Sequence, residues 1–187
     1  KCIRFKEDDV RPMGRASMGV RGIKLKGDDK VVEMDTVQST DAKLFVVMEN
    51  GLGKSTKISK YRLQNRGGSG VKTANVTGKT GRIVGAKVVE PHFEGDVIII
   101  SKKGNIIRMN IKDIPTQGRS TQGVYLMRFK KTDKVSSMSV IRTDELKKDI
   151  EESEEEVKKL REKEVKQLDK GEEKLIEEDQ VNEEAAD

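Results

Sequence analysis

The sequence predicts an all-β protein: repeated units of four antiparallel strands forming part of a ring, followed by an acidic tail that is first helical and then disordered. Three observations carry this expectation. The first is a motif of Arg, three residues, then Gly-Val, which occurs at Arg15, Arg66 and Arg119 with spacings of 51 and 53 residues. The second is a pair of apolar, β-branched runs at 44–48 and 97–101. They end in the turn pairs Asn50-Gly51 and Lys103-Gly104, again 53 residues apart. The third is a break in charge. Residues 1–143 hold 29 Lys/Arg against 14 Asp/Glu, a net of +15, whereas residues 144–187 hold 9 against 19, a net of −10. The formal charge of +5 is therefore the sum of two opposite bodies, a pattern suited to a polyanion-binding body with an acidic tail.

A repeat of about fifty residues lies in the range of propeller-like blades. Each unit opens with a buried strand, at 44–48 or 97–101, and returns through 56–58 or 106–111. The Arg/Gly corner follows. A third strand is expected at 20–25, 71–76 and 124–129, and a fourth near 31–37, 83–89 and 135–141. Four strands make a blade. Ile3-Arg4-Phe5 matches Ile107-Arg108-Met109, so the first unit is cut and its edge should be unpaired or exposed. The expected boundaries are 1–41 for the partial blade, 42–94 and 95–142 for two further blades, and 143–187 for the tail. The chain begins at Lys1 rather than Met and reads as a piece of a longer protein.

In the tail, Thr143 is placed to cap a helix whose first turn carries Asp144 and Glu145. Leu146, Ile150, Val157, Leu160 and Leu168 have near-helical spacing, with Glu154/Lys158, Glu155/Lys159 and Glu162/Lys166 as i,i+4 pairs. Gly171 ends the helix, and 172–187 are expected to be disordered. The plain reading is a solvated helix with a frayed end. The functional reading is autoinhibition, in which the negative tail competes with a polyanion for the basic body.

Several classes of function are disfavoured. Only 33% of residues are hydrophobic and 38% are charged, and Val97-Ile98-Ile99-Ile100 is far too short to span a membrane. Cys2 is the sole cysteine and His92 the sole histidine. No internal disulfide can form, which fits a reducing cytoplasm, and neither a metal cluster nor a triad is expected. No residue is assigned to catalysis. Gly51-Leu52-Gly53-Lys54-Ser55 resembles a phosphate-binding loop, but Met48 stands where its first Gly belongs and no helix is expected after it. Tyr61 and Tyr125 are read as packing residues, and His92, after Pro91, as a solvated loop residue. Four Phe, two Tyr and no Trp give no stacking set, which disfavours single-strand or RNA binding.

The corners suit duplex phosphate. Glycine-rich loops expose backbone N–H groups, and an adjacent Arg adds a two-pronged partner. Candidate DNA-binding residues are Arg15, Arg21, Arg66, Gly67, Gly68, Gly70, Lys72 and Arg119. A second rank comprises Lys54, Lys57, Lys60, Arg62, Lys102 and Lys103. The structural reading stands beside this one. Val20, Val71 and Val124 are assigned to packing, the glycines are divided evenly between turn geometry and phosphate approach, and half of the lysines protect strand edges. Three buried, unpaired arginines would be costly, so the motif arginines belong at the rim.

Three segments resemble the C-terminal domain of the A subunit of bacterial DNA gyrase and of its relative topoisomerase IV. They are Val10-Arg11-Pro12-Met13-Gly14-Arg15 running into Gly19-Val20-Arg21-Gly22-Ile23, Tyr61-Arg62-Leu63-Gln64-Asn65-Arg66-Gly67-Gly68-Ser69-Gly70-Val71, and Gly118-Arg119-Ser120-Thr121-Gln122-Gly123-Val124. The resemblance covers roughly 1–141. It implies a β-pinwheel, a propeller-like ring of four-stranded blades, six in the full domain, with duplex DNA bent around its basic edge; these would be the last blades. Gln64, Arg66, Gly67, Gly68 and Gly70 match the family's Q-R-R-G-G-K-G box, while Asn65 and Ser69 replace two of its charges. This copy is therefore read as a secondary one, with the full box upstream of Lys1, and it does not separate gyrase from topoisomerase IV.

The resemblance further implies the DNA-wrapping domain of an ATP-dependent type II DNA topoisomerase that controls DNA supercoiling. Its partners would be double-stranded DNA and, in an A2B2 complex, the ATPase B subunit together with the remainder of the A subunit. It implies a place in the cytoplasm on the nucleoid, no membrane, and no cofactor in this stretch, ATP and Mg acting elsewhere in the parent complex. The cleaving tyrosine of the family lies in a separate winged-helix region. The alternatives are a topoisomerase IV domain that selects DNA geometry for decatenation, and a propeller-like protein-interaction scaffold with no length-dependent DNA affinity.

Overall fold

The computed structural model describes residues 1–129 and 132–143. The helix and disorder expected over 144–187 lie outside the described residues. Among the described residues, seven strands form two antiparallel sheets: β1 (Lys43–Met48), β2 (Leu52–Lys57), β3 (Ile83–Val89), β4 (Gly95–Ser101), β5 (Ile106–Asn110), β6 (Val124–Tyr125) and β7 (Val135–Arg142). One sheet runs β3-β1-β2-β6 and the other β5-β4-β7. The fold is all-β, as its sequence predicts.

The apolar runs become the central strands. Every residue of β1 after Lys43 is buried, and its two faces feed two cores. Phe45 and Val47 pack with Val97 and Ile99 of β4 and with Ile111, Ile114, Met127 and Val135. Leu44 and Val46 face the other way, onto Ala42, Ile58 and Tyr61, with Cys2 and Val71 against them. An uninterrupted hydrophobic strand is what burial on both faces requires. β4 alternates instead: Val97 and Ile99 are buried, while Ile98 and Ile100 are half-exposed.

Each unit carries a 3-10 turn at the same place, Glu7–Asp9, Ile58–Lys60 and Ile111–Asp113. The amides of Val10, Tyr61 and Ile114 close these turns onto Glu7, Ile58 and Ile111. After the turns of the second and third units the chain runs parallel to the segment before the turn of the preceding unit. The Gln64 amide donates to the Arg4 carbonyl and that of Gln117 to Ser55, both at 2.8 Å.

The third strands depart from expectation. Val124–Tyr125 does not join its own unit's sheet but pairs with Gly53 and Leu52 of β2, completing the sheet of the preceding unit. Val71 makes the same move with a single bridge to Cys2. The glycine before each valine permits this crossing. Gly123 has φ +82, and a Cβ there would sit 2.5 Å from the Gly53 carbonyl oxygen; Gly70 has φ +67, and its Cβ would lie 2.6 Å from that of Cys2. Both the left-handed backbone and the close approach demand glycine. Residues 20–25 and 31–37 form no strand. The fourth strands β3 and β7 ladder onto the opening strands β1 and β4 of their own units. The described chain contains no such strand for 31–37, and Val31 and Met34 remain exposed.

Candidate nucleic-acid interface

Successive corners are joined to one another. The Gly67 amide donates to the Gly22 carbonyl at 2.7 Å, and the Lys24 amide donates back to Gly68 at 2.8 Å. The Arg66 side chain crosses the same seam, donating through Nη1 to the Arg21 carbonyl at 2.7 Å and through Nε to the Asp9 carbonyl at 3.0 Å. One unit later the pattern recurs. The Asn75 amide donates to Thr121 at 3.0 Å, and Arg119 Nη1 donates to the Lys72 carbonyl at 3.3 Å. Arg66 and Arg119 are thus partly tied to the preceding corner and keep further donors free, because a guanidinium carries five N–H groups.

The structure therefore brings together Arg21, Arg66, Gly67 and Gly68 at one seam and Lys72 and Arg119 at the next, with Gly70 on the segment between them. Arg15 and Arg21 are exposed. Lys72 is exposed and donates to Asn75 Oδ1 at 2.9 Å. Gly70 serves the strand crossing. Lys57, Lys60 and Arg62 are exposed on the end of β2 and the turn after it. Lys102 and Lys103 sit apart, in the β4–β5 turn, where the Lys103 ammonium is bound to Thr132 Oγ1.

Lys54 does not reach solvent: it is 0% exposed, on β2. Its Nζ donates to the carbonyls of Gly118 at 2.6 Å and Arg119 at 2.9 Å and to Thr121 Oγ1 at 3.1 Å. All three ammonium donors are used, and all three partners belong to the third corner. Burial pushes its pKa down to about 8. In the neighbouring core, burial pushes the Cys2 thiol and the Tyr61 hydroxyl up, against smaller opposing effects. Tyr61 is buried in that core. Gly51-Leu52-Gly53-Lys54-Ser55 forms a hairpin turn and strand followed by the short 3-10 turn at Ile58–Lys60 and not by an α-helix.

One cluster escapes sequence reasoning. Tyr125 is 42% exposed rather than packed, with the Arg128 guanidinium 4.9 Å and the Lys79 ammonium 5.8 Å from its ring centre. Cations over an aromatic face attract it. Lys79 comes from the loop before β3, so no local pattern announces the group. Among the described residues no group of His, Cys, Asp and Glu could hold a metal, and no helix is long and apolar enough to cross a membrane.

The family described as DNA gyrase C-terminal domain, beta-propeller, matches residues 1–38, 43–90 and 95–142. The chain belongs to this family. It is 42% identical over 144 residues to the DNA gyrase A subunit of Staphylococcus epidermidis (strain ATCC 12228 / FDA PCI 1200), covering 76% of this chain and 16% of that protein. The DNA gyrase A subunit of Staphylococcus aureus (strain MRSA252) is 41% identical over 143 residues, with the same coverage. The chain thus spans about 16% of the length of these relatives. Among solved structures, a DNA gyrase A C-terminal domain aligns with TM-score 0.65 and 30% identity, over 73% of this chain and 46% of that one. A DNA topoisomerase IV C-terminal domain aligns with TM-score 0.69 over 75% of this chain and 43% of that one; at 23% identity this likeness speaks to fold alone.

Proposed function

We propose that this chain binds duplex DNA through its phosphate backbone and bends it, as the wrapping domain of an ATP-dependent type II DNA topoisomerase that controls supercoiling. The observation that supports this most directly is the pair of seams, Arg66 on Arg21 and Arg119 on Lys72, which set successive basic corners side by side. Bending a 20–30 bp segment by 40–90° costs roughly 1–6 kcal/mol. A body with a net charge of +15 over residues 1–143 offsets that cost through counterion release. The parent assembly in this reading is the A subunit with an ATPase partner, acting in the cytoplasm on the nucleoid, with ATP and Mg handled elsewhere. The 41–42% identity to the gyrase A subunit favours gyrase as the parent over topoisomerase IV.

The test is duplex affinity as a function of length and salt, with bending read by end-to-end energy transfer. A wrapping domain prefers longer duplexes, brings their ends closer and loses affinity steeply as salt rises, with a slope of about −0.9 per phosphate neutralised. Affinity indifferent to both length and salt would instead support a protein-interaction scaffold.

A further inference from the structure

The third corner is built differently from the second, and the difference lies beneath it. Lys54 occupies the position held by Ile3 in the first unit and Ile107 in the third. Ile3 supports the second corner as an apolar post, its Cδ1 3.5 Å from where a Gly68 Cβ would stand. Lys54 supports the third corner with a buried ammonium bonded to Gly118, Arg119 and Thr121. In the second corner the Gly67 amide is already engaged by Gly22. Ser120, its counterpart, donates to no group among the described residues, and neither does the Arg119 amide.

A peptide group is planar and trans, so the N–H that follows a carbonyl points away from it. Carbonyls of Gly118 and Arg119 drawn inward to Nζ therefore turn the amides of Arg119 and Ser120 outward. Two adjacent N–H groups with this aim form a concave anion site, and Arg119 lies on the same loop. We propose that Lys54 is a positioning residue that makes the third corner a backbone-amide seat for a phosphate oxygen, an assignment that rests on the DNA reading above. The ammonium does not touch the phosphate. It fixes the carbonyls and leaves a cation beneath the seat.

The experiment titrates the full chain, 15N-labelled, with duplex DNA, alongside Lys54→Met and Lys54→Ile, the latter restoring the residue of the other two units. The expected result is that the Arg119 and Ser120 amide signals shift on binding, and that each variant loses affinity by about tenfold, the size of one charge-assisted bond, with its circular dichroism retained. Duplex binding in which those two amides stay still, or folded variants that bind as tightly as the unaltered chain, would overturn the inference and leave the DNA reading standing. No duplex binding by the unaltered chain would remove the DNA reading, and this inference with it. Should both variants fail to fold, the two amide signals of the unaltered chain decide.

Discussion

The Arg66 guanidinium is hydrogen-bonded to the Arg21 carbonyl at 2.7 Å, so a motif cation of one unit is bound to the corner of the unit before it. Arg119 stands in the same relation to Lys72. These arginines have two roles on different atoms, holding the seam and presenting positive charge. Arg15 has only the second, and this contrast separates their variants.

Arg15→Ala should weaken duplex binding and reduce the magnitude of the salt slope by about 1, with the urea midpoint unchanged. Arg66→Ala should do the same and also lower stability by about 1 kcal/mol, from the bonds to Arg21 and Asp9. Salt titrations and urea unfolding followed by circular dichroism measure both. An unchanged salt slope for Arg15→Ala would take Arg15 off the DNA path.

Gly123→Ala should cost about 3 kcal/mol, because its Cβ would meet the Gly53 carbonyl in a left-handed backbone. Gly19 has a similar φ of +79 but open space around it, so Gly19→Ala should cost only about 1 kcal/mol. Equal losses in urea unfolding would assign the whole effect to backbone conformation and none to the close crossing.

Stability should depend on the Lys54 proton in a defined direction. The folded chain releases it near pH 8 and the unfolded chain near 10.5. Between those values the unfolded state binds more protons, so rising pH favours folding through this group. Cys2 and Tyr61 act oppositely. Their raised values keep protons on the folded chain after the unfolded chain has released them, from about pH 9 and 10 upward. Subtracting the urea stability of Lys54→Met from that of the unaltered chain isolates the lysine. The difference should grow from pH 8 to 10; a flat difference would mean that the buried ammonium titrates normally.

Residues 144–187 carry a net charge of −10, and removing them should tighten duplex binding, most clearly at low salt. Fluorescence anisotropy on the shortened chain measures this. Equal or weaker binding would rule out competition by the tail.

What the sequence makes legible follows from how local each signal is. β1 stands out because burial on both faces demands contiguous Leu, Phe and Val, β4 because its run is apolar and β-branched although only alternate residues are buried, and their hairpin turns because Asn50-Gly51 and Lys103-Gly104 fit few other geometries. The destination of Val124 is not legible, since a valine after glycine looks the same whether it pairs with its own sheet or its neighbour's. Lys54 is hidden for a related reason. Lys54-Ser55-Thr56 is a polar string, yet all three residues are buried, and the acceptors that make this tolerable for the lysine arrive from 64 to 67 residues away. Tyr125 misleads because exposure depends on which strand it joins and which cations reach it. The Arg motif is visible as a pattern, but its seam-holding role depends on backbone carbonyls, which every residue carries.

Because Val124–Tyr125 completes the sheet begun by β1 and β2, the unit of residues 42–94 is not self-sufficient. Excising residues 95–142 alone would leave β2 with bare amides and carbonyls along one side, and a cut at the apparent boundary between units would sever a hydrogen-bonded ladder rather than a linker. Shortening or lengthening this protein should therefore succeed only at cut points shifted past the Gly-Val crossing, so that the sheet of β1 and β2 keeps its borrowed strand.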